Sequence, residues 1–361
     1  VYKRQFLSGV GSSSTGNSIV LNLLGEAFVT GSAAANFPVT AGAYDQTFNG
    51  AADAFVTKIN ATGSALIFST FIGGSIFDCG NAVAVTAAGE IIIAGYTDSN
   101  DLPATLGAFD GTFNGGQYDV FVAKFNSAGS LLSHLTYIGG IAGYEIPMDI
   151  VINAANETYI VGETSSNDYP VTPGSYDQTH NGFGTMDVFV TKLNATGTAL
   201  GFSTYIGGNG SETGWGIGLN ALDEIFISGH TTSNNFPVTS CAYNTLPNGS
   251  TDIFVGKLNS TGNNLHYATY VGGLADDYKH SRMVLLPSEC GLEEPIIAGT
   301  THSQNFPVTP GAFQNTNFTL GDDAPVVFRF KKPDVIPGFT RSTSTTSVSY
   351  THLTLPTNRE V

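Results

Sequence analysis

Residues 119–140, DVFVAKFNSAGSLLSHLTYIGG, decide the fold of this chain. Two runs in which apolar and polar residues alternate, 119–125 and 131–138, flank an Asn-Ser-Ala-Gly turn at 126–129. Alternation with a period of two, interrupted by turn residues, is typical of a β-hairpin and not of a helix. The same hairpin with its closing Gly-Gly recurs along the chain, so the sequence predicts a repeat built from β-strands.

The repeat unit is roughly 66 residues long and occurs about five times, with its anchors in constant order. An apolar run ending in Gly precedes a Pro turn, and an alternating strand with one basic residue precedes the Gly-Gly. The prolines of that turn, which we interpret as structural positions, are Pro38, Pro103, Pro170, Pro237 and Pro307.

Each unit divides into four strands, the first two of which are predicted at 81–86 and 90–97 in the unit quoted above. A four-stranded antiparallel sheet cannot bury both faces alone, and stacking sheets around an axis solves this problem. The sequence therefore predicts an all-β propeller of four-stranded antiparallel blades. About five blades are present, and we favour a truncated ring of six to eight blades. A linear β-solenoid is the alternative, although its coils are usually shorter.

Composition excludes some classes of function. The 361 residues carry a net charge of −16, which argues against nucleic-acid binding because phosphates require clustered Lys and Arg. No apolar run of about 18 residues is present, so no membrane-spanning segment is expected. Cys241 and Cys290 fall in neighbouring units and are either a disulfide or, like Cys79, idle thiols.

The motifs resemble those of a known family. The order D-x-F-V-x-K-x-N-x-x-G, S-T-Y-I-G-G, G-x-T and N-F-P-V-T-P-G resembles the bacterial β-propeller repeat called SBBP, over residues 6–332. The resemblance implies a secreted or cell-surface bacterial protein, and the family has no generally established activity. The fifth unit departs from the pattern through an insertion around 287–294 and through Arg329 in place of Lys.

The two ends have a different character. Residues 1–5 (VYKRQ) and 348–361, which begin VSYTHLTLPT, resemble translated sequencing-library adaptor, so we expect a metagenomic gene fragment. Residues 333–347 are rich in Pro, Ser and Thr and are predicted to form a linker toward a flanking domain. Residues 6–9 (FLSG) align with the end of a fourth strand and are expected to complete a blade.

An acidic residue follows each Gly-Gly, in a loop predicted to lie near the mouth of the channel. Three interpretations stay open for these acids: a hydrogen-bonded staple of the repeat, a Ca²⁺ site, or a ring that binds a ligand. The acids are Asp78, Glu145, Glu212 and Asp277.

A second acid precedes each third strand, with Lys five residues later. The recurring pattern predicts a structural ion pair or hydrogen bonds at the start of the strand. The positions are Asp53 and Lys58, Asp119 and Lys124, Asp187 and Lys192, and Asp252 and Lys257.

No catalytic constellation stands out in the sequence. The seven His residues do not cluster, and no G-x-S-x-G elbow is present. We therefore expect a non-catalytic extracellular or cell-surface binding or scaffold module, with no cofactor other than Ca²⁺ as an option and with a protein or a glycan as partner. The alternative is a carbohydrate- or phosphoester-hydrolysing propeller whose acid loops hold a metal, since propellers include both classes.

Overall fold

A computed structural model describes residues 6–11, 13–286, 294–314, 316 and 323–330. Every regular element in these residues is a β-strand. The described residues contain no helix long and apolar enough to cross a membrane. The described strands are β1 (Ser14–Leu21), β2 (Ala27–Ala33), β3 (Asp53–Ile59), β4 (Leu66–Ile72), β5 (Asp78–Val85), β6 (Ile91–Thr97), β7 (Asp119–Phe125), β8 (Leu132–Ile138), β9 (Glu145–Ile152), β10 (Thr158–Thr164), β11 (Asp187–Leu193), β12 (Leu200–Ile206), β13 (Glu212–Leu219), β14 (Ile225–Thr231), β15 (Asp252–Leu258), β16 (Leu265–Val271), β17 (Asp277–Leu286), β18 (Glu294–Thr301) and β19 (Ala324–Arg329).

The strands form five blades of a β-propeller, which confirms the predicted fold class. The first four blades are antiparallel meanders of four strands in chain order, β1–β4, β5–β8, β9–β12 and β13–β16. In the described residues the fifth blade contains three strands, β17–β19. The predicted strands agree closely with the observed ones, except that β5 begins at Asp78 and not at residue 81.

The hydrophobic core lies between the blades and not within any one of them. Phe28 and Val56 of the first blade share an apolar cluster with Val83 and Ile91 of the second. The first strands β1, β5, β9, β13 and β17 pack against one another in chain order, so they form the innermost layer. Each blade therefore buries its apolar faces only by contact with its neighbours.

The Pro turn fixes the long loop of each unit to the core. Phe37, which precedes Pro38, packs against Phe55 with ring centroids 4.3 Å apart, and Tyr169 packs against Phe189 in the same way at 4.8 Å. The residues before the turn prolines are all buried. This packing explains why an apolar residue followed by Pro recurs in every unit.

Residues 6–9 do not form the predicted fourth strand. They have no strand pairing in the structure, and Leu7 packs beside Ala33, Phe37 and Phe55 of the first blade. β19, the third strand of the fifth blade and the strand that a fourth one would join, pairs only with β18 in the described residues. The predictions for residues 1–5, 333–347 and 348–361, for the insertion at 287–293 and for Cys290 lie outside the described residues.

A β-bulge interrupts the innermost strand of each blade. In the second blade Gly80 pairs with Gly95 and Ala82 with Ala94, so Asn81 is the extra residue. The opposing Gly95 has no room for a side chain, because a Cβ there would overlap the carbonyl oxygen of Cys79 and the ring of Phe121. The Gly that ends the apolar run of the second strand is therefore required in the first four blades by close approach of the backbone.

We predict that Gly95→Ala destabilises the protein by about 1–3 kcal/mol, because the added methyl group overpacks the bulge. The free energy of unfolding from urea denaturation measures this loss. Gly111→Ala is the matched control, since a Cβ at that position meets nothing within 4 Å. Equal stability of the two variants would contradict the steric role assigned to Gly95.

Candidate functional site

A buried carboxylate lies where the chain passes from one blade to the next. Asp78 accepts hydrogen bonds from the Gly74 N–H (2.7 Å), the Thr97 hydroxyl (2.5 Å) and the Ser99 hydroxyl (3.1 Å). Gly74 belongs to the connection that leaves the first blade, whereas Thr97 and Ser99 belong to the second blade. The carboxylate therefore joins the two blades, and we call this arrangement the clasp.

The clasp recurs at the next three junctions. Each acid accepts the N–H of the second Gly of the Gly-Gly and the hydroxyl of the Thr that ends the second strand. This geometry is that of the hydrogen-bonded staple considered above. In the described part of the chain, no group of three or more His, Cys, Asp or Glu side chains is arranged to hold a metal ion. The clasp acids are Asp78, Glu145, Glu212 and Asp277.

The acid that begins each third strand lies beside a clasp acid. Asp53 accepts the N–H groups of Asn49 (2.9 Å) and Gly50 (3.1 Å) at the start of β3. At the fourth junction, a Cβ on Gly272 would overlap both Asp252 and Asp277, so their oxygens lie within about 5 Å of each other. The acid pairs are Asp53 with Asp78, Asp119 with Glu145, Asp187 with Glu212, and Asp252 with Asp277.

Burial raises the pKa of these paired carboxyls toward neutrality. The pKa of Asp53 and of Asp78 is raised to about 6, and that of Asp119 and of Glu145 to about 7. Repulsion from Asp119 adds to the effect of burial at Glu145, while hydrogen bonds to both carboxylates oppose it. Because Asp119 Oδ1 is buried without a hydrogen-bond partner among the described residues, ionisation of this pair is costly.

The Lys of each repeat does not pair with the Asp five residues before it, so the predicted Asp–Lys ion pair is wrong. Residues five apart on a strand point to opposite faces, which separates the two side chains. Each Lys instead pairs with a Glu at or before the start of the second strand, directly across the sheet. The ion pairs are Lys58 with Glu26, Lys124 with Glu90, Lys192 with Glu157, and Lys257 with Glu224.

The bulge places one side chain per blade next to the clasps, at the same end of the innermost strands. The bulged residue is Asn in the first two blades, Met in the third and Trp in the fourth. Together with Arg282, which follows the bulge of the fifth blade, these residues surround the axis, and we call them the axial mouth. The axial mouth consists of Asn17, Asn81, Met148, Trp215 and Arg282.

Polar contacts connect the axial mouth across blades. Asn17 donates to the side-chain oxygen of Asn81 (3.3 Å), and Asn81 donates to the carbonyl of Pro147 (2.9 Å). Arg282 of the fifth blade donates to the carbonyl of Met148 in the third (2.9 Å), and its Nη1 lies 3.6 Å from Asp149 Oδ1. Burial raises the pKa of Asp149, and the charge of Arg282 opposes that shift.

Aromatic and imidazole rings extend the mouth between the fourth and fifth blades. Trp215 Nε1 donates to His230 Nδ1 at 3.0 Å, and Tyr278 lies edge-on to His230 and to His302. His302 Nε2 is 2.6 Å from Asp323 Oδ1. Trp215 and Tyr278 are half-buried, so each keeps part of its ring accessible. Such a surface offers apolar ring faces together with hydrogen-bonding groups.

Sequence reasoning missed the axial mouth because no single residue type marks it. The signal that could have found it is the contrast within the repeat: Asn81 and Trp215 occupy equivalent positions, each directly after a Gly of the first strand. The four clasp acids, by contrast, were found from their fixed spacing. The structure brings them beside the third-strand acids but buries both sets.

No protein-family model and no curated protein sequence matches this chain. Among solved structures, it is similar to the NanB sialidase of Streptococcus pneumoniae, with 9% identity, a TM-score of 0.44 and coverage of 81% of this chain and 58% of that one. It is also similar to a protein of Bifidobacterium bifidum S17 assigned as an exo-β-1,3-galactanase, with 11% identity, a TM-score of 0.37 and coverage of 95% and 93%. The chain thus matches little more than half the length of the sialidase.

We predict that the melting temperature falls as pH rises from 5 to 8. The acid pairs have a higher pKa in the folded state than the ordinary values of 3.8 for Asp and 4.5 for Glu, so the folded state retains protons that the unfolded state releases. Stability from these groups is present below about pH 4 and is lost as pH rises through about 7. Differential scanning calorimetry across this pH range measures how steeply the melting temperature changes with pH.

Asp119→Asn tests the assignment, because the amide keeps an acceptor for the Asn114 N–H but cannot ionise. We expect a smaller difference in melting temperature between pH 5 and pH 8 than in the wild type. Glu26→Gln is the control: its ion pair with Lys58 lowers the pKa of Glu26, so that residue is ionised throughout the range and the slope stays unchanged. An unaltered slope in Asp119→Asn would show that the pairs do not govern the pH dependence.

Proposed function

We propose that this propeller is a non-catalytic binding module of a secreted or cell-surface bacterial protein of the SBBP repeat type, and that it binds a glycan at the axial mouth. The observation that carries the proposal is the bulge in every innermost strand. In the first four blades it places Asn, Asn, Met and Trp at the axial mouth, beside acids whose hydrogen bonds are repeated. Bulges often re-aim side chains next to binding sites.

The chemistry of the mouth suits a carbohydrate. Sugars present apolar ring faces and many hydroxyl groups, which require aromatic surfaces together with donors and acceptors. Trp215 and Tyr278 supply partly exposed rings. Asn17, Asn81 and Arg282 supply amide and guanidinium groups that can hydrogen-bond hydroxyls.

The burial of the clasp acids favours a binding function over a hydrolytic one. A glycosidase needs two carboxylates that reach the scissile bond from an open cleft. Asp119 and Glu145 repel each other electrostatically, but both are buried in the junction between blades, and Glu145 accepts hydrogen bonds from Gly140 and Thr164. A substrate would have to break the clasp to reach them. A hydrolase whose acid ring holds Ca²⁺ is the less favoured, alternative function.

We predict that oligosaccharides change the fluorescence of Trp215, the only Trp in the chain, in a saturable manner. Trp215→Ala should weaken binding by roughly tenfold in calorimetry, because loss of an aromatic contact costs on the order of 1 kcal/mol. Arg282→Ala should weaken it as well. Phe183→Ala is the matched control, since Phe183 is an exposed aromatic residue outside the mouth and its loss should leave affinity unchanged.

Two results would count against the proposal. Binding that survives both Trp215→Ala and Arg282→Ala would place the ligand elsewhere. Release of reducing sugar, together with calorimetric binding of Ca²⁺ that Glu145→Gln abolishes, would favour the hydrolase alternative.

A further inference from the structure

One hydrogen bond holds the indole ring at the axial mouth. Trp215 Nε1 donates to His230 Nδ1 over 3.0 Å, and the planes of the two rings differ by 29°. The bond joins the bulge of β13 to the neighbouring strand β14, where His230 lies opposite Thr213. Because both rings are half-buried, water reaches the pair and can exchange protons with the imidazole.

The Trp–His pair belongs to the fourth blade and not to the repeat. In the first three blades Asn or Met stands at the position of Trp215. A contact that the propeller itself requires would recur, as the clasp does, so the pair is an addition to the scaffold at the surface for which we propose a ligand. The residues at the position of His230 in the other blades are Ser32, Tyr96, Glu163 and Thr300.

The chemistry of the two rings permits this bond in only one protonation state. The indole N–H can only donate, so Nδ1 of His230 must be the acceptor. Neutral imidazole with its proton on Nε2 provides that acceptor, whereas imidazolium carries an N–H on both nitrogens. At a separation of 3.0 Å the indole and imidazolium N–H groups would point at each other, so the bond breaks when His230 takes up a proton.

The fifth blade contributes a ring and charged groups near His230. Tyr278 of β17 lies edge-on to the imidazole with ring centroids 6.4 Å apart, and His302 of the same blade lies on Tyr278 at 5.2 Å. Arg282 of β17 donates to the carbonyl of Met148 in the third blade. The positive charge of Arg282 is therefore directed across the axis.

Acidic groups face His230 from the other strands packed against β14. Thr213, opposite His230 on β13, donates to Glu163 of the third blade. The tautomer of His230 is nevertheless determined by the group that donates to Nδ1, which is Trp215. The acids of the adjoining junctions are Glu212, Asp252 and Asp277, which accept hydrogen bonds there.

We propose that His230 is a positioning residue for Trp215 and makes the axial mouth sensitive to pH. Neutral His230 holds the indole in place, and protonated His230 releases it. Imidazole groups in general titrate at about pH 6.5, so the change falls between neutral and mildly acidic conditions. The inference rests on the proposed binding function, because the indole that is released is a ring assigned to the glycan. The affinity for a glycan therefore falls as pH is lowered.

The fluorescence emission of Trp215 follows this change without any ligand, because the chain contains a single Trp. We expect wild-type emission to pass through one transition between about pH 8 and about pH 5. His230→Asn should show no transition, because the amide oxygen can accept the indole N–H and does not titrate in this range. His230→Ala removes the acceptor, so its emission should resemble that of the acidic wild type at every pH.

His266→Asn is the matched control. His266 is an exposed residue of β16 in the same blade, and its Nδ1 lies 3.2 Å from Glu224 Oε1. This variant should keep the wild-type transition, since it leaves the bond between Trp215 and His230 intact. Circular dichroism at both ends of the pH range verifies that each variant stays folded.

Isothermal titration calorimetry with cellohexaose, which is uncharged throughout this range, tests the consequence for binding. Wild-type affinity should be roughly three- to tenfold lower at about pH 5 than at about pH 8, which corresponds to the loss of one hydrogen bond. His230→Asn should bind with the same affinity at both pH values.

Three results decide the matter against the proposal or against the glycan site. A transition that persists in His230→Asn, or a wild type without a transition, would overturn the positioning role. Equal wild-type affinity for cellohexaose at both pH values would overturn the effect on binding. Emission that changes as expected in a protein without affinity for cellohexaose would count against the glycan site and not against the coupling of the two rings.

Discussion

The clasp is the interaction on which the rest of the structure depends. A blade has no core of its own, so its stability requires that the next blade meets it at a fixed angle. Asp78 sets that angle because its carboxylate accepts an N–H from the connection and two hydroxyl groups from the blade that follows. Several charge-assisted hydrogen bonds offset the cost of burying the carboxylate. In the first blade Ser14 stands at this position, and its hydroxyl donates to the carbonyl of Leu7.

The clasp also explains why the proposed ligand site lies at the bulges and not at the recurring acids. Its acids are the first residues that recurring polar positions point to as a binding site. Their oxygens, however, already accept hydrogen bonds from the protein itself. The bulges begin immediately after the clasp and lie at the same end of the innermost strands. A repeated clasp therefore supports side chains that are not all alike, such as Asn81 and Trp215. Rigid support of variable residues is what a binding surface requires.

Spacing along the chain was sufficient to predict the strands, the turns and the positions of the clasp acids. It was not sufficient to predict which side chains contact one another, because those contacts depend on the pairing of strands. Lys58 lies across the sheet from Phe28 and so reaches Glu26, although Asp53 is nearer in sequence. The bulges were missed for the same reason: an extra residue in one strand is visible only when the partner strand is known.

The contacts that stabilise the interior use the same two repeat positions at every junction. Val56 shares an apolar cluster with Val83, and Val190 shares one with Ile217. The bulged residues, such as Trp215, lie outside these clusters. Because the two sets of residues do not overlap, a substitution at the axial mouth can change the proposed binding without changing the apolar contacts between blades.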